Sequence, residues 1–244
     1  MTLRALVPAV VAAALAVAGC GGGSGGSSST TVTTAPTAPT TTATTATTTT
    51  PPGQQLQQPA ANVDGLPQSG ITLGNPGAPA TLYEFADLQC PFCAEYTKTT
   101  LPQVVDKYVR PGKVKIVFRN LTFIGPDSVT AARAAAAAGE QNKLWNFVDT
   151  FYANQGEENS GYVTDAFIAQ LAGAAGVDAN ALTQAMQSPA VDQQLGEAQK
   201  QAQQFNVNST PSFLVQVGTA KPKPLGNKTA DFGAISAKLD AALR

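Results

Sequence analysis

The chain has 244 residues, with 15 Lys+Arg against 16 Asp+Glu, a formal charge of -1, three cysteines and no histidine. The missing imidazole excludes Ser-His-Asp and Cys-His nucleophiles and any histidine metal ligand, so proton transfer falls to carboxylates, lysine, tyrosine, thiols or water. The balanced charge argues against nucleic acid as a partner, since that needs a basic patch or stripe.

Residues 1–78 carry only Arg4 and Asp64, so the front third is not part of an ordinary globule, and the remainder suffices for one domain with a real core but not for two. Met1–Gly19 has one positive charge, Arg4, an apolar run from Ala5 to Val17 and then small residues. That is the layout of a secretory signal peptide, too short for a stable membrane span. Its end, Val17-Ala18-Gly19-Cys20, resembles the lipobox of bacterial lipoproteins. The resemblance implies cleavage before Cys20, lipidation of its sulfur, and an extracytoplasmic protein held at the bacterial cell membrane by acyl chains. From Gly21 to about Ser69 the composition collapses to Gly, Ser, Thr, Ala, Pro and Gln, with too little to bury to offset its ordering entropy. Residues 20–69 read as the lipidated cysteine and a disordered tether, and residues 70–244 as the folded domain. The Asn-x-Ser/Thr matches at Asn120, Asn208 and Asn227 read as chance in a bacterial protein.

Folded sequence is expected from near Ile71. Ala80–Ala86, rich in strand formers and interrupted by Glu84, leads straight into Cys90-Pro91-Phe92-Cys93. A helix should follow, with Pro91 in its first turn and a kink at Pro102, ending near Arg110-Pro111-Gly112. Lys113–Arg119 reads as a buried strand. A helical block over about 126–206 has start signals at Asp127, Thr164, Asp178 and Ser188-Pro189, with Gly139 as a stop. Trp145, Phe147, Phe151 and Tyr152 mark a core face. A strand over Ser212–Val217, a short strand near Leu225 and a helix from about Asp231 to Leu243 complete an α/β sheet with a helical insertion.

Cys90 and Cys93 stand at a strand-to-helix junction, where unpaired backbone N–H groups and the positive end of the helix dipole favour a thiolate at the first sulfur. Cys93, one turn on, is placed to resolve a mixed disulfide formed at Cys90, the minimum machinery for thiol-disulfide exchange. A zinc site needs about four Cys or His ligands, and a two-thiolate copper site wants His or Met support; the domain supplies neither set. A purely structural disulfide of so few residues removes little chain entropy.

These residues carry a family resemblance. Ile71-Thr72-Leu73-Gly74-Asn75-Pro76, Glu84-Phe85-Ala86-Asp87-Leu88-Gln89-Cys90-Pro91-Phe92-Cys93 and Thr210-Pro211-Ser212-Phe213, in that order around a helical block, resemble the DsbA-type oxidoreductases. The resemblance implies a thioredoxin-like fold with a helical insertion. It makes Cys90 the nucleophile, Cys93 the resolving thiol and Glu84 the buried acid that exchanges a proton with Cys93. Pro211 matches the family's cis-proline, with Thr210 presenting backbone to a substrate peptide, and Pro91 and Phe92 complete the expected substrate-contacting set. No cofactor or metal is implied. The partners implied are thiols of exported proteins or peptides, an unidentified redox partner for recycling, and the membrane through Cys20. Phe92 stands where the best-known relatives have a histidine that stabilises the thiolate, so a less extreme oxidant is expected. A reductase or isomerase running the same exchange, and a non-catalytic peptide-binding module of the same fold, are the alternatives.

Overall fold

The computed structural model describes residues 55–59, 61, 63–226 and 231–244. The expectations for Met1–Gly19, for Cys20, for the tether as far as residue 54 and for Asn227 lie outside the described residues. In chain order the described residues form β1 (Gln68–Ser69), β2 (Thr72–Leu73), β3 (Ala80–Ala86), α1 (Pro91–Thr99), α2 (Leu101–Val104), β4 (Val114–Asn120), α3 (Pro126–Glu140), α4 (Leu144–Ala153), α5 (Asp165–Ala174), α6 (Ala179–Ala185), α7 (Pro189–Gln204), β5 (Ser212–Val217), β6 (Lys223–Pro224) and α8 (Phe232–Ala242).

The strands make one mixed sheet in the order β1-β2-β4-β3-β5-β6. β3 is central, parallel to β4 and antiparallel to β5, and every side chain along it except Tyr83 is buried. That explains its near-continuous apolar sequence, because a strand covered on both faces loses the alternation of a half-exposed one. On one face Leu82 and Phe213 join the main core with Tyr96 of α1 and Leu239 of α8. On the other, Phe85 and Leu214 pack with Ala198 and Ala202 of α7. The parallel β3–β4 pair requires a crossover, which α1 and α2 supply.

The crossover helix is broken where the sequence predicts a kink. Pro102 has no N–H for the helical ladder and its ring crowds the preceding turn, so α1 ends at Thr99 and a short α2 restarts at Leu101. A π-helical turn over Val105–Val109 closes with the Arg110 N–H on the Val105 carbonyl at 2.9 Å. Just before β3, Gly74 has φ +99°, and a Cβ there would come within 2.7 Å of Val109 Cγ1. Only glycine fits that approach between the β2 exit and the crossover.

The helical insertion packs around α3, whose alanines at 131, 132 and 134–138 are all buried. Small side chains let α4, α6 and α7 approach closely, so the alanine run is an internal packing surface. Trp145, Phe147, Phe151 and Tyr152 are buried as expected. Thr164, Asp178, Ser188 and Asp231 each cap a helix, accepting backbone N–H groups of the first turn. Two boundaries differ from the sequence reading. The residue capping α3 is Gly125 rather than Asp127, whose carboxylate instead accepts the Gly161 N–H at 2.9 Å. Gly139 lies inside the last turn, and the left-handed conformation falls to Asn142 at φ 56°.

Packed chain also begins before Ile71. Ala61 and Val63 are buried, and β1 belongs to the sheet. The Ala61 N–H donates to both oxygens of the buried Asp149 at 3.2 and 3.0 Å, while Asn154 exchanges hydrogen bonds with the Gln57 backbone at 2.7 and 3.0 Å. Composition misses this because part of the anchoring runs through backbone groups of Gln57 and Ala61, which composition does not register.

Candidate active site

The C-terminal ends of β3 and β4 frame the site, and a buried carboxylate fixes the loop between β3 and α1. Asp87 accepts the Gln89 N–H at 2.9 Å, the Ser128 hydroxyl at 2.7 Å, and the Phe123 and Ile124 N–H groups at 2.7 and 3.1 Å. It thereby ties the loop before α1 to the loop before α3. The Cys90 N–H closes a turn onto the Asp87 carbonyl at 2.9 Å.

The helical insertion clasps the same loop. The Gln155 amide donates to the carbonyls of Leu88 and Cys90 at 2.7 and 3.2 Å. The Gln89 side chain donates to the Tyr162 hydroxyl at 3.0 Å and accepts the Asn159 N–H at 2.9 Å. Tyr152 donates to the Asp87 carbonyl at 3.1 Å. Sequence reasoning missed this set. Gln89 and Asp87 sit inside the quoted motif and could have been singled out as the polar residues of a tight turn. Nothing local to Gln155 or Tyr162 marks them, since only the fold brings them to the loop.

Cys90 is itself the N-cap of α1 and Pro91 its first residue, so the chain enters the helix at the sulfur. Both cysteines are free thiols. Cys90 is 4% exposed and Cys93 0%, and their acidities diverge. The Cys93 thiol beside it is the largest of the causes that lower Cys90 to about 6; the Thr210 side chain and the Cys93 and Phe92 N–H groups add to this, against the opposing effect of burial. Burial, then the hydrogen bond and charge of Cys90, push Cys93 well above the ordinary thiol value.

The loop before β5 meets this pair. The Thr210-Pro211 peptide is cis, and the Cys90 thiol donates to the Thr210 carbonyl at 3.4 Å. The carbonyl serves the thiol and the Thr210 hydroxyl the thiolate, so the loop contacts both protonation states. Pro91 and Phe92 face outward, Phe92 with 69% of its surface exposed. Glu84 lies in the middle of β3, opposite Phe213 on β5 and Phe118 on β4, and is 1% exposed. Burial alone pushes its carboxyl up to about 8, and its Oε2 has no hydrogen-bond partner. The fold therefore brings Cys90, Cys93, Thr210, Pro211 and Glu84 together, with Pro91 and Phe92 on the adjoining surface. Cys20 lies outside the described residues.

This arrangement places two hydrogen-bonded thiols of widely separated acidity side by side, one poised as a thiolate near neutral pH and the other buried near a protonated acid. Among the described residues, no group of three or more His, Cys, Asp or Glu could hold a metal ion, and no helix is long and apolar enough to cross a membrane.

Comparison with known proteins follows the same lines. Residues 67–223 match the family model described as Thioredoxin. A Bacillus cereus protein named "Probable disulfide bond formation protein D" is 29% identical over 177 residues, covering 71% of this chain and 78% of that protein. The crystal structure of oxidised BdbD from Bacillus subtilis superposes with a TM-score of 0.63 at 24% identity, covering 77% of this chain and 96% of that one. That of Wolbachia pipientis alpha-DsbA1 gives 0.61 at 18% identity, covering 71% and 90%. At these identities the two structures speak for the fold.

Proposed function

This chain belongs to the thioredoxin family, in its DsbA-like form with a helical insertion, and is a thiol:disulfide oxidoreductase; on that premise we propose that it oxidises thiols of exported proteins from a lipid anchor at Cys20. The observation that carries the reading is the split acidity of Cys90 and Cys93. A disulfide exchanger needs one sulfur that leaves and attacks as a thiolate, and a second that holds its proton.

The reaction begins with the Cys90–Cys93 disulfide. A substrate thiolate attacks Cys90 Sγ, the Cys90–Cys93 bond breaks, and its electron pair leaves on Cys93. Glu84, holding its proton at neutral pH, passes it to that buried sulfur, where a bare thiolate would be strongly disfavoured. The substrate is now joined to Cys90, with Thr210 and Pro211 beside the mixed disulfide and Pro91 and Phe92 at its rim. A second substrate thiolate attacks the substrate sulfur and expels Cys90, which departs as a thiolate because its acidity suits it to leave. The substrate is oxidised by two electrons and the enzyme is reduced; of the two protons lost by the substrate thiols, one rests on Cys93 and one reaches solvent. A separate redox partner restores the disulfide.

Cys90 at about 6 lies between the thioredoxin value of about 7 and the DsbA value of about 3.5. This supports a milder oxidant than the histidine-bearing relatives, as Phe92 leads one to expect. The decisive experiment mixes the protein with an unfolded, reduced secreted protein under defined glutathione buffers. A Cys93→Ala form should accumulate mixed disulfides with it, and Cys90→Ser should lose exchange. Unchanged behaviour in both variants would leave a non-catalytic peptide-binding module. Net reduction of a native disulfide in preference to thiol oxidation would reverse the direction. Acyl labelling of the full chain, lost on Cys20→Ala, tests the anchor.

A further inference from the structure

Tyr96 follows Cys93 by one helical turn on α1, is 0% exposed, and packs its ring on Phe213 with centroids 4.6 Å apart. Phe213 is the cross-strand neighbour of Glu84, so helix and sheet together bring the phenol beside the acid. Both residues carry a buried polar atom without a hydrogen-bond partner, the Tyr96 hydroxyl and Glu84 Oε2, and the Glu84 charge acts on the phenol. Tyr152, just as buried, donates its hydroxyl to the Asp87 carbonyl, which accounts for it structurally. Tyr96 has no such account. A buried hydroxyl left unpaired is destabilising, and a phenylalanine would keep the same ring packing without that penalty.

The groups that feel the Glu84 charge are Cys93 and Tyr96 of α1 and Tyr152 of α4, with Asp87 and Cys90 acting on Tyr152 from the neighbouring loop. None of them is a cation. A carboxylate formed here needs a hydrogen-bond donor, and of the unengaged hydroxyls on α1, those of Tyr96 and Thr97, it is Tyr96 whose ring packs on the cross-strand neighbour of Glu84.

We propose that Tyr96 is a positioning residue for the proton step, its hydroxyl donating a hydrogen bond to the Glu84 carboxylate at the moment Glu84 has given its proton to Cys93. The inference rests on the role given to Glu84 above. As the substrate sulfur bonds to Cys90, the Cys90–Cys93 bond breaks and the electron pair goes to Cys93. The proton of the Glu84 carboxyl then moves to that sulfur, and the negative charge left on Glu84 is met by the phenol O–H. The phenol keeps its own proton throughout, and Glu84 is reprotonated from solvent as the second substrate thiol ionises. A hydrogen bond to a charged acceptor is roughly twice as strong as one to a neutral acceptor, so Tyr96 favours the state after transfer over the state before it.

The test compares wild type, Tyr96→Phe, Glu84→Gln and the double variant in exchange with one reduced peptide thiol across pH. Tyr96→Phe should slow exchange at pH 7 by about three- to tenfold and move the Glu84-dependent limb to higher pH by about tenfold in proton concentration. In the Glu84→Gln background the same change should do nothing. Infrared difference spectra give a readout independent of turnover: the carboxyl band lost in Glu84→Gln should titrate at higher pH in Tyr96→Phe. Superimposable profiles and titrations for Tyr96→Phe and wild type, or an equal effect of Tyr96→Phe with and without Glu84, would overturn the proposal while leaving Glu84 in place. A Glu84→Gln variant with the wild-type profile would remove both.

Discussion

The split in thiol acidity sets how the reduction potential of Cys90–Cys93 depends on pH. Cys90 falls from an ordinary 9.0 to about 6 in the folded protein, and Cys93 stays well above 9.0. Because the folded value is depressed, the contribution to the stability of the reduced form is complete above pH 9 and disappears as pH falls through 6. At pH 7, one unit above the Cys90 midpoint, thiolate outnumbers thiol about tenfold, which stabilises the reduced protein by about 1.4 kcal/mol. For a two-electron couple that raises the potential by about 30 mV. Below pH 6 reduction takes up two protons, and the potential should change by about 59 mV per pH unit; above it only Cys93 is protonated, and the slope should halve to about 30 mV. Equilibration with glutathione or dithiothreitol between pH 4.5 and 8.5, followed by thiolate absorbance, measures both slope and break. A single slope of about 59 mV across that range would show that Cys90 is an ordinary thiol and refute the assignment of roles.

Three further outcomes follow from the packing. Glu84 is held at about 8 against an ordinary 4.5, so the stability tied to its proton is complete below pH 4.5 and lost as pH rises through 8; Glu84→Gln should therefore gain about 3 kcal/mol at pH 7 and almost nothing at pH 4.5 in urea unfolding, and equal gains at both would contradict its burial as an acid. Asp87→Ala strands three backbone N–H groups and the Ser128 hydroxyl, at a cost of about 3 kcal/mol, and should slow exchange with Cys90 and Cys93 intact; unchanged thermal unfolding would refute the junction. Gly74→Ala, at φ +99° with Val109 Cγ1 2.7 Å from the new carbon, should lose about 2 kcal/mol or more without altering the Cys90 titration.

Much of the molecule was legible because its signals are local. The strands Ala80–Ala86 and Ser212–Val217 were read to the residue, since each is an apolar run bounded by turn residues. Thr164, Asp178 and Ser188 were read as helix starts from side chains that cap their own first turns. Asp127 misled because its carboxylate has a distant partner, Gly161, which no local rule anticipates. At the site, the two cysteines and Thr210-Pro211 announce themselves by spacing and order. Gln155 and Tyr162 act through amide and hydroxyl groups that look like surface residues until the insertion folds over the loop. The orphaned hydroxyl of Tyr96 was invisible for another reason, since in sequence it is one more aromatic on a helix face.

The alanine face of α3 makes the insertion asymmetric toward mutation. A core built of leucines fails mostly by losing atoms, but the seven buried alanines between positions 131 and 138 have almost nothing to lose, and their interface can fail only by gaining them. Each added branch would wedge α4, α6 or α7 outward, at about 1–3 kcal/mol. The first turn of the same helix carries Ser128, whose hydroxyl bonds Asp87. A displacement of α3 would thus reach the loop that holds Cys90. The helix serves as a gauge block: its thinness sets the spacing of the insertion, and its first turn passes that spacing to the Cys90 loop.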